Sequence, residues 1–271
     1  MFRNPKISSS IIKAQGLKHP YMEVLGNQNI GDYCAAIFGN IYIATNLDYV
    51  DFYINNKFIN RFYPDRKNYP NTPHPLIKID DLVGDRLNNQ FKKRDIKLIK
   101  EVFNYIAFNG TNKLPLKYLL KSALVLIRTR MSYSYFKDLY TKVIQNWGSE
   151  SSGFIFKGYK DNALMCTKTL SPSMKFSLSY DLKNQTLNLK DDAYVVTRLS
   201  IKHIDQNNSL LNYSFLPLII EASNNLEVIG PNIVSLNGGQ TSIYIKAIKK
   251  GFGKIKIKSE LETKIIKIKI K

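Results

Sequence analysis

Residues 41–66 read IYIATNLDYVDFYINNKFINRFYPDR. Three short runs, IYIATN, YVDFYI and KFINRFY, are rich in β-branched and aromatic residues and end at turn formers, which predicts strands. Asn55 and Asn56 stand between the last two runs. Asparagine tolerates positive φ, so the pair predicts a two-residue hairpin turn. The stretch therefore reads as antiparallel β structure.

Upstream, PYMEVLG (20–26) is a further strand, and NPKISSSIIKAQ (4–15) is a short helix. Asn4 can cap that helix, Pro5 suits its first position and Gly16 ends it. Downstream, FYPDRKNYPNTPHPLIKIDDLVG (62–84) holds four prolines among Asp65, Arg66, His74, Asp80 and Asp81. Near residue 85 the period changes. Ile96, Ile99, Val102, Phe103 and Ile106 recur at helical spacing up to Gly110. A second helix starts at Pro115, with Leu116, Leu119, Leu120, Ala123, Leu124 and Ile127 on one side. A third, about 133–145, carries Phe136, Leu139, Tyr140, Val143 and Ile144. All three stripes are expected to be core, and short loops between the helices predict antiparallel neighbours. From 153 strands resume: GFIFKGYKD, ALMCTKTL and MKFSLSYD, then a further series from about 190. The last two strands alternate Ile with Lys, which predicts isoleucine inside and lysine outside. The fold class is mainly β, two antiparallel sandwiches with a three-helix insertion in the first.

The chain carries 40 Lys+Arg against 21 Asp+Glu, a net of +19 over 271 residues. Such a charge attracts phosphate backbones and anionic membranes. The lysines are spread along the chain, however, and abundant Lys, Asn, Ile and Tyr is the mark of an A/T-rich coding sequence. No nucleic-acid partner and no membrane partner is expected. Cys34 and Cys166 form no CxxC pair, which speaks against a disulfide framework or a zinc site and for a reducing compartment. The first sixteen residues lack the apolar core of a signal peptide, and LLKSALVLI (119–127) is too short to span a bilayer. A cytoplasmic protein is expected.

Chemistry-bearing patterns are few. There is no Walker A loop, GxGxxG, HExxH or GxSxG. His19, His74 and His203 show no ligand spacing, and no cofactor or metal is expected. In the proline-rich stretch, Asp65, His74, Asp80 and Asp81 can be read as ligands or an acid/base set. The weightier reading is structural: prolines stiffen the chain, and adjacent Asp80 and Asp81 in extended backbone point to opposite faces. A rigid loop packing against another domain is its expected role. Trp147 reads as a core anchor more than a sugar platform, Asp191 and Asp192 as a turn between sandwiches, and LNGGQ (236–240) as a Gly-Gly turn.

FRNPK…AQ, then YMEVL, then IYIATNLDYVDFYINNKFINRFYPDR, resembles the C-terminal part of glycoside hydrolase family 2, the β-galactosidase type. In that family an immunoglobulin-like domain follows the last helix of the catalytic barrel and carries a YTN-x-D-x-V-x-L-x-x-N-G strand pair. Here the pair reads IATNLDYVDFYINN, with Asn56 where the family has Gly. IGPNIVSLNGGQTSIYIKA (229–247) is similar to a later immunoglobulin-like domain. The resemblance implies residues 1–16 as a remnant of the last barrel helix, 17–185 as an immunoglobulin-like sandwich with the insertion at about 86–146, and 186–271 as a second such sandwich. It implies no catalytic residue in this chain, hence no activity alone. The implied role is a non-catalytic module that supports or completes a barrel, in cis or in trans, for β-glycoside hydrolysis in carbohydrate metabolism. Ile7, Ile11 and Ile12 would then be an exposed docking stripe, with Asp65, Arg66 and His74 as further docking positions. The alternative is a free-standing basic β-sandwich that binds an anionic surface or polymer.

Overall fold

The computed structural model describes residues 6–25, 39–111, 114–144, 153–171, 173–189 and 194–271. Asn4, Pro5, Cys34, Trp147, Asp191 and Asp192 lie outside these residues. The chain forms two compact units, Lys6–Ser173 and Met174–Lys271.

In the first unit, α1 (Ser9–Gly16) precedes β1 (Met22–Leu25), β2 (Ile41–Thr45), β3 (Tyr49–Ile54), β4 (Lys57–Phe62) and β5 (Ile77–Ile79). Then come α2 (Lys93–Asn109), α3 (Leu116–Thr129) and α4 (Tyr133–Ile144), followed by β6 (Phe154–Lys160) and β7 (Ala163–Leu170). The helix expected from residue 4 begins at Ser9. One sheet runs β1-β2-β5 and the other β4-β3-β6-β7. In immunoglobulin lettering these are A-B-E and C′-C-F-G, so the helices are inserted between E and F. Asn55 and Asn56 have φ of 50° and 63°, the two left-handed residues of the predicted hairpin. Phe52, at the centre of β3, is fully buried against Phe154 and Phe156, with ring centroids at 5.2 and 5.0 Å.

The insertion shares this core. Ile96, Ile99, Val102 and Phe103 of α2, and Phe136, Leu139, Val143 and Ile144 of α4, are buried in the same cluster as the strands. Helix α3 departs from expectation. Its leucine stripe faces solvent, and Val125 is its only fully buried residue. Tyr118 stacks on Tyr105, Lys121 pairs with Glu101, and Arg128 Nε lies 2.6 Å from Asp95 Oδ1. Partner numbers fall on one helix as they rise on the other, so α2 and α3 are antiparallel. Asp95 is buried, and leaving its charge unpaired would cost about 3–5 kcal/mol. Lys121 and Arg128 sit two turns apart on one face. Turning that face to α2 sends Leu116, Leu120 and Ile127 outward.

The second unit holds β8 (Phe176–Leu182), β9 (Thr186–Leu187), β10 (Val195–Asp205), β11 (Pro217–Ala222), β12 (Leu226–Ile229), β13 (Ile233–Ser235), β14 (Gln240–Ala247), β15 (Gly251–Lys258) and β16 (Thr263–Ile270). Its sheets run β12-β14-β10-β8 and β13-β11-β15-β16-β9. β8 pairs with β10, which places it here and sets the division before Met174 rather than after residue 185. Ile255, Ile257, Ile268 and Ile270 are buried, as the alternation predicts, whereas Ile265 is exposed because the doublet Ile265-Ile266 breaks the period. Gly238 and Gly239 form the predicted turn, at φ of 61° and 77°.

Truncating a leucine of α3 should therefore be cheap. Leu120→Ala is expected to cost no more than about 0.5 kcal/mol, and Phe103→Ala about 3–5 kcal/mol. Urea denaturation of the two variants measures the difference; equal losses would contradict the outward orientation.

Candidate functional site

The TN pair of the opening stretch ties the first unit together. Thr45 Oγ1 donates to Tyr21 O at 2.7 Å and accepts from Leu47 N at 3.1 Å. The Asn46 side chain is buried. Its Nδ2 donates to the carbonyls of Leu17 and His19 at 2.9 and 2.8 Å, and its Oδ1 accepts from Tyr21 N at 2.8 Å. One side chain thus satisfies three backbone groups of the segment leaving α1. Asp48 Oδ2 accepts from Asp161 N at 2.7 Å, closing the β6–β7 turn on β3. Asp51 takes two bonds from Arg61, at 2.7 and 3.0 Å, and the guanidinium lies 3.9 Å from the Tyr49 ring centroid. This carboxylate raises the Arg61 pKa further above its already high value.

Helix α1 buries Ser10 and Ala14 and exposes Ile11 and Ile12 at 37% and 75%, and Ile7, in the turn that leads into it, is 54% exposed. At its end, Gln15 clamps the proline-rich loop: Nε2 donates to His74 O at 2.6 Å, and His74 N donates to Oε1 at 3.0 Å. Of the six expected docking positions, Ile11 and Ile12 lie on α1, Ile7 in the turn before it, and Asp65, Arg66 and His74 in the joined loop. The loop is self-closed. Asp65 N donates to Leu76 O at 3.1 Å, and Arg66 Nη2 reaches Pro73 O at 3.5 Å. The Asp65 carboxylate accepts from the side chain and backbone of Asn68, at 2.7 and 3.1 Å, which lowers its pKa.

Asp80 and Asp81 do not form a pair. Asp80 is exposed. Asp81 lies 2.7 Å from Lys100 Nζ and accepts from Asn104 Nδ2, Val83 N and Gly84 N at 3.0, 2.9 and 3.1 Å. Burial alone would raise its pKa; the Lys100, Asn104 and Gly84 contacts more than offset this and lower it. Arg86 donates to Val83 O and Leu82 O, and burial pushes its pKa down to about 10. Gly84 is needed at the turn: its φ is +55°, and a Cβ would fall 2.5 Å from Ile59 O. Among the described residues no group of three His, Cys, Asp or Glu is placed to hold a metal ion. His203 Nδ1 meets Ser214 Oγ at 2.7 Å in the second unit. Sequence reasoning missed Gln15 and the work done by Asn46. The TN motif was the signal for Asn46; Gln15 left none.

No family model matches the chain. Over 256 residues it is 22% identical to a β-galactosidase of Thermoanaerobacter pseudethanolicus, a match covering 92% of this chain and 26% of that protein. Among solved structures, a β-glycosidase from Bacteroides vulgatus aligns with 98% of this chain at a TM-score of 0.57 and 12% identity, over 26% of its own length. A glycosyl hydrolase family 2 member from Bacteroides cellulosilyticus aligns with 99% at 0.58 and 7% identity, over 30% of its length. A β-glucuronidase from glycoside hydrolase family 2 aligns with 99% at 0.57 and 13% identity, over 22% of its length. The chain resembles the C-terminal part of a glycoside hydrolase family 2 enzyme. The structural likenesses speak for the fold alone. The chain spans about a quarter of the length of these relatives.

Two outcomes follow from the geometry. Asn46→Ala strands three backbone groups and is expected to lower stability by about 2–3 kcal/mol in urea titration, with Asn46→Asp unable to donate to the two carbonyls and no better. Asp81, with its folded pKa below 3.8, stabilises fully above that value, and its contribution fades as pH falls through the lower folded value. Asp81→Asn is therefore less stable than wild type at neutral pH, and the difference should shrink in melts taken from pH ~5 down to pH ~2.

Proposed function

We propose that this chain is a non-catalytic C-terminal β-sandwich module of a family 2 glycoside hydrolase, of β-galactosidase type, that supports or completes a catalytic barrel in cis or in trans. The observation that carries this reading is the face of α1. A helix clamped to the sandwich through Gln15 and His74, with the turn that leads into it, presents Ile7, Ile11 and Ile12 to solvent. Three exposed isoleucines on this helix and its leading turn suit a protein partner. The match to 26% of a β-galactosidase, over 92% of this chain, supports the same reading. The module's part in hydrolysis would be mechanical: it fixes the end of a barrel helix and braces it with the proline-stiffened loop.

The test begins with the DNA next to the Met1 codon. A frame encoding a barrel with two catalytic glutamates is expected. Its product, co-expressed with this chain, should hydrolyse a chromogenic β-galactoside, and Ile11→Glu/Ile12→Glu should lower that activity by about tenfold or more while leaving the melting temperature of the isolated chain unchanged. Absence of any such frame, or full activity of the double variant, would defeat the proposal.

A further inference from the structure

Helix α3 carries its apolar side outward. Leu116, Leu119, Leu120, Leu124 and Ile127 are between 41% and 75% exposed, and Tyr133 and Tyr135, in the first turn of α4, are 74% and 51% exposed. These positions recur at i, i+3, i+4, i+8 and i+11, one continuous arc of the helix.

The charge around that arc is one-sided. Residues 86–146 hold thirteen Lys+Arg and three Asp+Glu, so +10 of the chain's +19 falls in the insertion. Residues 114–137 contain no acid at all. Beside the arc, a cleft of about 880 Å³ between α2 and α3 is lined by Lys93, Lys97 and Lys117 against the acids Asp80 and Glu101. Those three lysines form no salt bridge among the described residues. Lys117 stands three residues before Leu120 and seven before Leu124 in α3, so cation and apolar arc meet at one edge.

We propose that the three-helix insertion docks on an anionic lipid surface, with α3 lying in the plane of the interface. Leucines on one side of α3, cations at the border and tyrosines in the first turn of α4 match the layers of such a surface: acyl chains, phosphates and the headgroup boundary. The cleft lysines take lipid phosphates, while the leucines enter below them. Helix α3 lies on the bilayer and does not cross it; among the described residues no helix is long and apolar enough to do so. A second copy is the poorer occupant, because closing the face on itself would bring two insertions of +10 together. This inference is independent of the barrel partnership, which uses α1.

The experiment is co-sedimentation of the full chain with vesicles of phosphatidylcholine containing about 30% phosphatidylglycerol, and with phosphatidylcholine alone, at low salt. Binding to the anionic vesicles only is expected. Leu120→Glu/Ile127→Glu should reduce it at least about tenfold, and Lys93→Glu/Lys97→Glu should weaken it and flatten its salt dependence. All four side chains are exposed, so circular dichroism and melting of the variants should match wild type. Three results overturn the proposal: no sedimentation with anionic vesicles; undiminished binding of Leu120→Glu/Ile127→Glu, which leaves charge alone as the cause; or a wild-type dimer in light scattering that the same double variant splits.

Discussion

The first unit depends on one buried amide. Asn46 stands at the end of β2, where the chain leaving α1 turns into β1, and its side chain serves two carbonyls and one amide of that turn. Backbone groups so placed have no sheet partner, and leaving them bare in a water-poor site is costly. Only a side chain with both a donor and an acceptor in one plane can serve them together, which selects asparagine over aspartate or leucine. Through it the position of α1 is fixed relative to the sheet, and through Gln15 the position of α1 fixes the proline-rich loop. The surface offered by Ile7, Ile11 and Ile12 therefore depends on a buried residue at the end of β2.

The insertion shows a second constraint of the same kind. Apolar burial would turn the leucines of α3 inward, at roughly 1.5–3 kcal/mol for each large side chain. Two carboxylates on α2 oppose this. Glu101 and the buried Asp95 require Lys121 and Arg128, and both cations lie on the face of α3 opposite Leu119 and beside Val125. Stripping a buried carboxylate of its partner costs about 3–5 kcal/mol. The geometry satisfies Asp95 and leaves an apolar arc that the described residues do not cover. Tyr140 adds a smaller cost: its hydroxyl is buried without a hydrogen bond among the described residues, which pushes its pKa up to about 12.

What could be read from the sequence follows from which rules are local. The Asn55-Asn56 turn, the Gly238-Gly239 turn and the Ile/Lys alternation of β15 and β16 were legible because φ preference and the two-residue period are properties of neighbouring residues. The stripes of α2 and α4 were legible for the same reason. The stripe of α3 was equally clear, but periodicity tells only that a helix has an apolar side, not that the side is covered. What decided its direction was Asp95, thirty-three residues from Arg128 in the chain. The place of β8 depended likewise on pairing with β10. At the candidate site, the isoleucines of α1 were legible as a stripe, while the Gln15–His74 clamp joins residues fifty-nine apart and carries no local signal. Inside the loop, a short Asx turn with Asn68 satisfies Asp65, and Arg66 bonds separately to Pro73 O.

The two exposed faces of the first unit differ in what they ask of a partner. The α1 face is small, carried by β-branched side chains with restricted χ1, and held by two hydrogen bonds to a loop stiffened by proline. Its shape is settled before any encounter, so little entropy is lost on binding, and a complementary protein surface gains most from it. The α3 face is wider, built largely of leucines with free rotamers, and edged with lysines on long stems. Such a face has no fixed relief for a rigid partner to match, but a fluid surface needs no relief. It requires apolar depth and opposite charge, and the stems of Lys93, Lys97 and Lys117 can spread to meet mobile phosphates. The same physical quantity, side-chain freedom, argues for a protein partner at one end of this unit and for lipid at its insertion.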